Sequence, residues 1–221
     1  MADAQLEAPP LSRAEGKARS RQKLITATIN SIASRGFADT TLARVAEGAG
    51  LSRGIVNFHF RSKEALFLET LKAMSREYRE HWLRAHDAAG PTAAEKLEAV
   101  LLADFEPPVS NRNRIAVWFA FYGEAKSRPT YMEVCTAIDQ ITFDALTQLF
   151  ATLIEEGGYA DRDPALLTQG FSALSEGLWL DLLVSPQTNS LDKSKRTVSA
   201  FLAALLPKHF PIAGRDAGEP G

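Results

Sequence analysis

The sequence predicts an all-α chain: a head of three helices followed by a body of about six. Apolar residues recur at spacings of three and four through most of its 221 residues, the period of an amphipathic helix. Every break in that pattern falls on glycine or proline: Gly36, Gly50, Gly90-Pro91, Pro107-Pro108, Arg128-Pro129, Gly157-Gly158, Pro186 and Pro207. No stretch of useful length alternates apolar and polar residues as a half-buried strand does, and no fixed-period repeat is visible.

The first helix is expected over about Arg13 to Arg35, with Leu24, Ala27, Ile29 and Ile32 as its apolar positions and Gly36 as its stop. Leu42, Val45, Ala46 and Ala49 then share one face of a short helix. Gly50 sits where the chain needs a left-handed turn, which glycine adopts without a Cβ penalty. Leu51 plugs that turn, and Ser52 is placed to cap a second short helix. That helix turns Val56 and Phe60 inward and Arg53, Gly54 and Asn57 outward. A long helix starts after Ser62 and runs without glycine or proline to about Ala88, roughly 40 Å at about 1.5 Å per residue. Further helices are expected at about 92–105, 112–127, 130–156, 164–184 and 191–206. The expected organisation is a disordered stretch 1–12, a head 13–61, a body 62–210 and a disordered tail 211–221.

A short helix with a polar outer face, braced by another across a tight turn, is how many proteins read a DNA major groove. Charge distribution agrees. The net charge of −2 hides a head (residues 12–63) with ten basic residues against three acidic, +7, and a remainder (64–221) with fifteen against twenty-two, −7. A polyanion is attracted by such a head and repelled by the body. Arg44, Arg53, Arg61 and Lys63 are candidates for phosphates. Thr41 and Ser52 offer hydroxyls and backbone N–H groups at helix starts. Arg53 and Asn57 can fork onto guanine and adenine, each good pair discriminating by about 1–3 kcal/mol, while Gly54 lets the backbone approach closely.

The body concentrates aromatic residues on one expected helix, where Ile115, Trp118, Phe119 and Tyr122 share a face. Tyr131 and Phe143 follow on the next helix and Trp179 on a later one, with acidic groups at Asp104, Glu106, Glu124, Glu176 and Asp181. Ring faces plus carboxylates suit a quaternary ammonium, whose charge is drawn to the ring quadrupole. The same spacing also suits an ordinary core. Glu176 and Trp179, three apart, face either a ligand or a subunit interface. Two stripes close the chain: Phe171, Leu174, Leu178 and Leu182, then Val198, Phe201, Leu202, Leu205 and Leu206. They can be buried within one chain or paired with their copies across a two-fold.

The set Gly36-Phe37, Thr40-Thr41, Val45-Ala46, Ala49-Gly50-Leu51-Ser52, Phe58-His59-Phe60 and Lys63-Glu64-Ala65-Leu66 resembles the TetR family of one-component regulators. Asp104-Phe105-Glu106, Ala116–Phe121 and Glu176–Leu180 resemble the branch that represses glycine betaine synthesis in response to choline. The chain departs from that branch at Pro107-Pro108 and at Tyr122-Gly123-Glu124. The resemblance implies a repressor acting as a homodimer on a palindromic DNA operator and released by a small effector. It adds Phe58 and His59 as contacts to the DNA backbone, although His59 also fits a packed position under the reading helix. For the effector site it implies Asp104, Phe105, Trp118, Phe119, Tyr122, Glu176 and Trp179. A regulator of a different amphipathic ligand (lipid-like, polyamine or drug), with the aromatics as core, is the alternative reading.

Enzyme motifs are missing: no HExxH, CxxC, GxSxG or Walker loop is present. His81 and His86 are five apart, wrong for a shared metal face on a helix. No catalytic residue, metal site or cofactor is expected. With one cysteine, Cys135, no internal disulfide can form. The first residues lack the pattern of a secretory signal and no run approaches the roughly 20 apolar residues of a membrane span, so a soluble, cytoplasmic protein is expected.

Overall fold

Caps and breakers divide the chain where local chemistry dictates. The computed structural model describes residues 12–211, the side chains of Ile138 and Asp139 excepted, and among these residues it contains nine helices and no strand. The stretches 1–12 and 211–221, expected to be disordered, lie outside the described residues apart from Ser12 and Pro211. Helix α1 (Arg13–Asp39) opens on a capping box in which Ser12 and Glu15 satisfy each other's backbone N–H groups. Gly36, at φ +80°, breaks it one turn before its end. Helices α2 (Leu42–Gly48) and α3 (Arg53–His59) are capped by Thr41 and Ser52, with Gly50 at φ +63° between them. The rest are α4 (Lys63–Ala88), α5 (Ala93–Ala103), α6 (Arg112–Ala125), α7 (Pro129–Gly157), α8 (Pro164–Val184) and α9 (Leu191–Leu205). Helices α4 to α9 fall within two residues of their expected spans, and α1 runs one turn past its expected stop at Gly36.

The chain forms two compact units, the first ending at Thr70 and the second beginning at Leu71, so α4 contributes its opening turns to one and its remainder to the other. In the first unit, Leu24, Ile25, Ile29 and Ile32 of α1 are buried along with Val45, Val56, Leu66 and Phe67. The Phe37 and Phe67 rings meet edge-on at 4.8 Å. In the second unit α7 packs against α5, α6 and α8, and α9 against α5 and α8. Phe150 stacks on Phe171, and a fully buried Tyr131 meets Phe121 edge-on. Among the described residues no helix is long and apolar enough to cross a membrane.

The two apolar stripes of α8 and α9 do not behave as units. Val198, Leu202 and Leu206 have no exposed surface and belong to the chain's own core, while Phe201 is half exposed and Leu205 lies between. On α8, Phe171 is buried, and Leu174, Leu178 and Leu182 are half-buried along its flank. The exposed face of α8 carries Leu166, Gly170, Ala173, Gly177, Leu180 and Val184 instead. Spacings of three and four drift round a helix of 3.6 residues per turn, so an apolar stripe read from sequence does not show which neighbour it faces.

Candidate nucleic-acid interface and ligand cavity

Within the first unit, α3 buries Val56 and leaves Arg53, Gly54 and Asn57 exposed, as a groove-reading helix requires. Ser52 Oγ accepts from the Ile55 N–H and Thr41 Oγ1 from the Arg44 N–H. The Arg44 guanidinium donates to the Asp39 carbonyl. A Cβ at Gly54 would meet only Ser52 Oγ, at 3.7 Å, so nothing inside the head demands glycine there. Its bareness is directed outward. Phe58 is two-thirds exposed, and the Lys17 ammonium lies 5.3 Å from its ring centre. His59 is half-buried, with Nε2 2.7 Å from Ser20 Oγ of α1. Burial, then the nearby Lys17 and Arg21 charges, hold its pKa below the usual histidine range.

Lys63, expected on a phosphate, is otherwise engaged. Its Nζ donates to the carbonyls of Phe37 (2.9 Å) and Ala38 (3.3 Å) and sits over the Phe67 ring. It thereby closes the turn that follows Gly36. Lys63→Ala should lower the stability of the head by about 1–3 kcal/mol, because the orphaned carbonyls lose a charged donor. Arg53→Ala should leave the melting temperature unchanged and relax base preference at one pair. A thermal melt run beside a binding assay on operator variants separates the two; equal melting temperatures would remove Lys63 from the turn.

The second unit encloses a cavity of about 240 Å³. Seven aromatic residues line it: Tyr78 and Trp82 from α4, Trp118 and Tyr122 from α6, Phe143 from α7, and Phe171 and Trp179 from α8. Among the described residues, Asp104 and Glu176 supply two carboxylates to the lining, and no lysine, arginine or histidine belongs to it. Asp104 caps α5 and is buried; its Oδ1 accepts from Tyr78 Oη at 2.9 Å, and its carbonyl accepts from Trp179 Nε1 at 2.8 Å. The Ser175 hydroxyl, buried without a well-formed hydrogen bond, and the His81 imidazole are its other polar neighbours. Desolvation dominates, pushing the Asp104 pKa up to about 6 against the lowering influence of Tyr78, Ser175 and His81. Glu176 is likewise raised, by partial burial at the cavity wall.

The cavity brings together Asp104, Trp118, Tyr122, Glu176 and Trp179 from the residues expected around a ligand. Phe105 and Phe119 are outside its wall. Phe105 turns into the core beside Asp104, almost fully buried, and Phe119 stands half-buried and edge-on to Tyr122 at 6.1 Å. Phe171, expected at a subunit interface, faces the cavity instead. Tyr78 and Trp82 were not expected at all, since the long helix read as a connector. Their signal was present as two aromatics one turn apart on a helix otherwise rich in charge.

Comparison with known proteins gives matches to both parts of the chain. Residues 24–70 match the bacterial regulatory proteins of the tetR family, and residues 93–207 match the BetI-type transcriptional repressor C-terminal domain. The HTH-type transcriptional regulator BetI of Stenotrophomonas maltophilia is 31% identical over 183 residues, covering 82% of this chain and 90% of that protein. BetI of Escherichia coli K12 is 26% identical over 197 residues, covering 86% and 94%. The crystal structure of a protein assigned as a transcriptional regulator from Pseudomonas aeruginosa PAO1 superimposes with a TM-score of 0.76 at 28% identity, covering 90% of this chain and 96% of that one. A regulator from Saccharomonospora viridis, crystallised in complex with choline, has the same fold, with a TM-score of 0.73 at 20% identity over 84% and 96% of the two chains. These relatives are named as regulators of transcription and none as an enzyme. The helix-turn-helix head and the helical body thus place the chain in the TetR family, as a DNA-binding transcriptional repressor with a BetI-type C-terminal domain.

Proposed function

We propose that the protein represses transcription as a homodimer on a palindromic operator and releases it on binding choline or a closely related quaternary ammonium. One observation carries the effector: a small cavity walled by aromatic rings holds two carboxylates and, among the described residues, no basic side chain. A trimethylammonium group cannot donate N–H bonds, so it gains from ring faces and unshared negative charge, by about 2 kcal/mol per desolvated ring. The volume lies below the roughly 300–1,000 Å³ of drug-sized sites, which favours a ligand of few heavy atoms. An anionic lipid would place its carboxylate among two others and finds no cation in the wall. The BetI-type C-terminal match and the choline held by the Saccharomonospora viridis protein support this reading.

At the head, Arg53 and Asn57 read bases, Gly54 admits the backbone, and Thr41, Arg44, Ser52, Phe58 and His59 meet the sugar-phosphate strand. The two heads of a dimer enter successive major grooves about 34–36 Å apart. The exposed face of α8, with Leu166, Gly170, Ala173, Gly177, Leu180 and Val184, joins Phe201 of α9 in the two-fold interface. Glycines and an alanine there let two helices approach closely. Tyr78 and Trp82 tie the cavity to α4, whose first residues belong to the head. A ligand that favours one setting of α4 lowers DNA affinity by as much as it prefers that setting, about 1–3 kcal/mol in such switches.

Calorimetric titration tests the effector with choline, tetramethylammonium, glycine betaine and 3,3-dimethylbutanol, the neutral isostere of choline. Choline is expected to bind and the neutral isostere to bind at least 100-fold more weakly. A flat titration at millimolar choline with folded protein would rule choline out.

A further inference from the structure

The first three turns of α1 do something the matched family block does not account for. That block begins at residue 24, yet α1 begins at Arg13, capped by Ser12 and Glu15. Residues 13–23 carry five basic side chains, Arg13, Lys17, Arg19, Arg21 and Lys23, against Glu15 alone, and residues 12–19 are exposed. Arg21 is engaged by Glu69 and Glu15 by the cap, so the rest of this charge faces solvent. Its placement on the helix is the informative part. Arg13, Lys17, Ser20 and Leu24 follow one another at four, three and four residues, which puts them on one stripe. Leu24 takes that stripe into the core, and Ser20 meets His59 at 2.7 Å. Lys17 then reaches Phe58, with its ammonium 5.3 Å from the ring centre. The stripe that faces α3 therefore becomes cationic where the core ends, and Arg13 lies about 6 Å further along the axis of α1.

We infer that Arg13 and Lys17 form a second DNA contact in each head, on the phosphates flanking the half-site read by α3. The inference rests on α3 being the reading helix: a duplex held there lies against Phe58, and Lys17 is already beside that ring. Lysine and arginine on phosphates supply affinity without base preference. Each neutralised phosphate steepens the dependence of log affinity on log salt by about 0.9.

The test uses the full-length protein and an inverted-repeat duplex enriched from a random library by that protein, prepared with flanks of zero, four and eight base pairs. R13Q/K17Q keeps helix propensity and the Ser12–Glu15 cap, so its melting curve should match the parent. The parent should bind more tightly as flanks lengthen, and the variant should not. On the eight-base-pair flanks the salt slope of the variant should be shallower by about 3.6 for two heads, with base preferences at the half-sites unchanged. An unchanged slope together with an unchanged flank dependence would overturn the inference while leaving the reading of α3 intact. A library in which no duplex is enriched would overturn both.

Discussion

Asp104→Asn is expected to abolish the response to effector and, in the same molecule, to stabilise the ligand-free protein. Asp104 is buried, with a pKa near 6 where an ordinary aspartate titrates near 3.8. Between those pH values the folded chain holds a proton that the unfolded chain has released. The associated stability is present at low pH and lost as pH rises through about 6. At pH 8 the ionised carboxylate therefore costs the fold on the order of 3 kcal/mol, a charge kept out of water with no cationic side chain in the cavity wall. Asparagine retains an oxygen for the Tyr78 hydroxyl and removes the charge. A melting temperature higher by several degrees at pH 8 is expected, with the gain vanishing near pH 4.

A cation bound in the cavity, as proposed, would offset that cost. Losing the charge should weaken choline binding by roughly 100-fold or more, since one partner of a buried charge pair is worth about 2–5 kcal/mol. The variant should then hold its operator at choline concentrations that release the parent. In the parent, protons and choline compete for Asp104, so affinity should fall about tenfold per pH unit below 6. Glu176, whose pKa is also raised by burial, lines the same cavity and will add to the slope. Asp104→Asn should flatten the profile. Unaltered choline affinity and an unaltered melting temperature would show that Asp104 carries neither role.

The second large effect concerns assembly. Leu180 and Phe201 are each about half exposed on the outer faces of α8 and α9, so charging both should spare the fold of a single chain. L180E/F201E should convert a dimer into a monomer in analytical ultracentrifugation at micromolar concentration. Operator affinity should fall by about 10²- to 10⁴-fold, because the second head no longer binds at the effective concentration that the first provides. Choline binding should survive, since neither Leu180 nor Phe201 lines the cavity. Retention of the parental mass would assign the interface to another face. The mutation discriminates because Val198 and Leu202, equally apolar in sequence, are fully buried in their own chain and would unfold it.

Helix positions were legible because their determinants are local. Ser52 acts through its own hydroxyl on the turn that follows it, Gly50 and Gly90-Pro91 act through their own backbone, and the structure places caps and breaks there. The reading helix was legible for the same reason: on a seven-residue helix, burying Val56 leaves Arg53, Gly54 and Asn57 outward. The cavity was half legible. Composition announced rings and carboxylates, but Phe119 shares the spacing of Trp118 and Tyr122 without reaching the cavity wall, and Phe105 is buried in the core beside Asp104.

Periodicity along the chain thus determined how many helices form, where they stop, and which end bears positive charge. It did so because hydrogen bonds within a helix and the caps that end it involve residues three or four apart. Which face of each helix is closed by another, whether Lys63 holds a carbonyl or reaches outward, and whether Phe171 lines a cavity or a subunit contact were decided only by tertiary packing. Those outcomes depend on partners that are tens of residues distant, such as Tyr78 on Asp104 or Asp104 on Trp179. No local spacing encodes them.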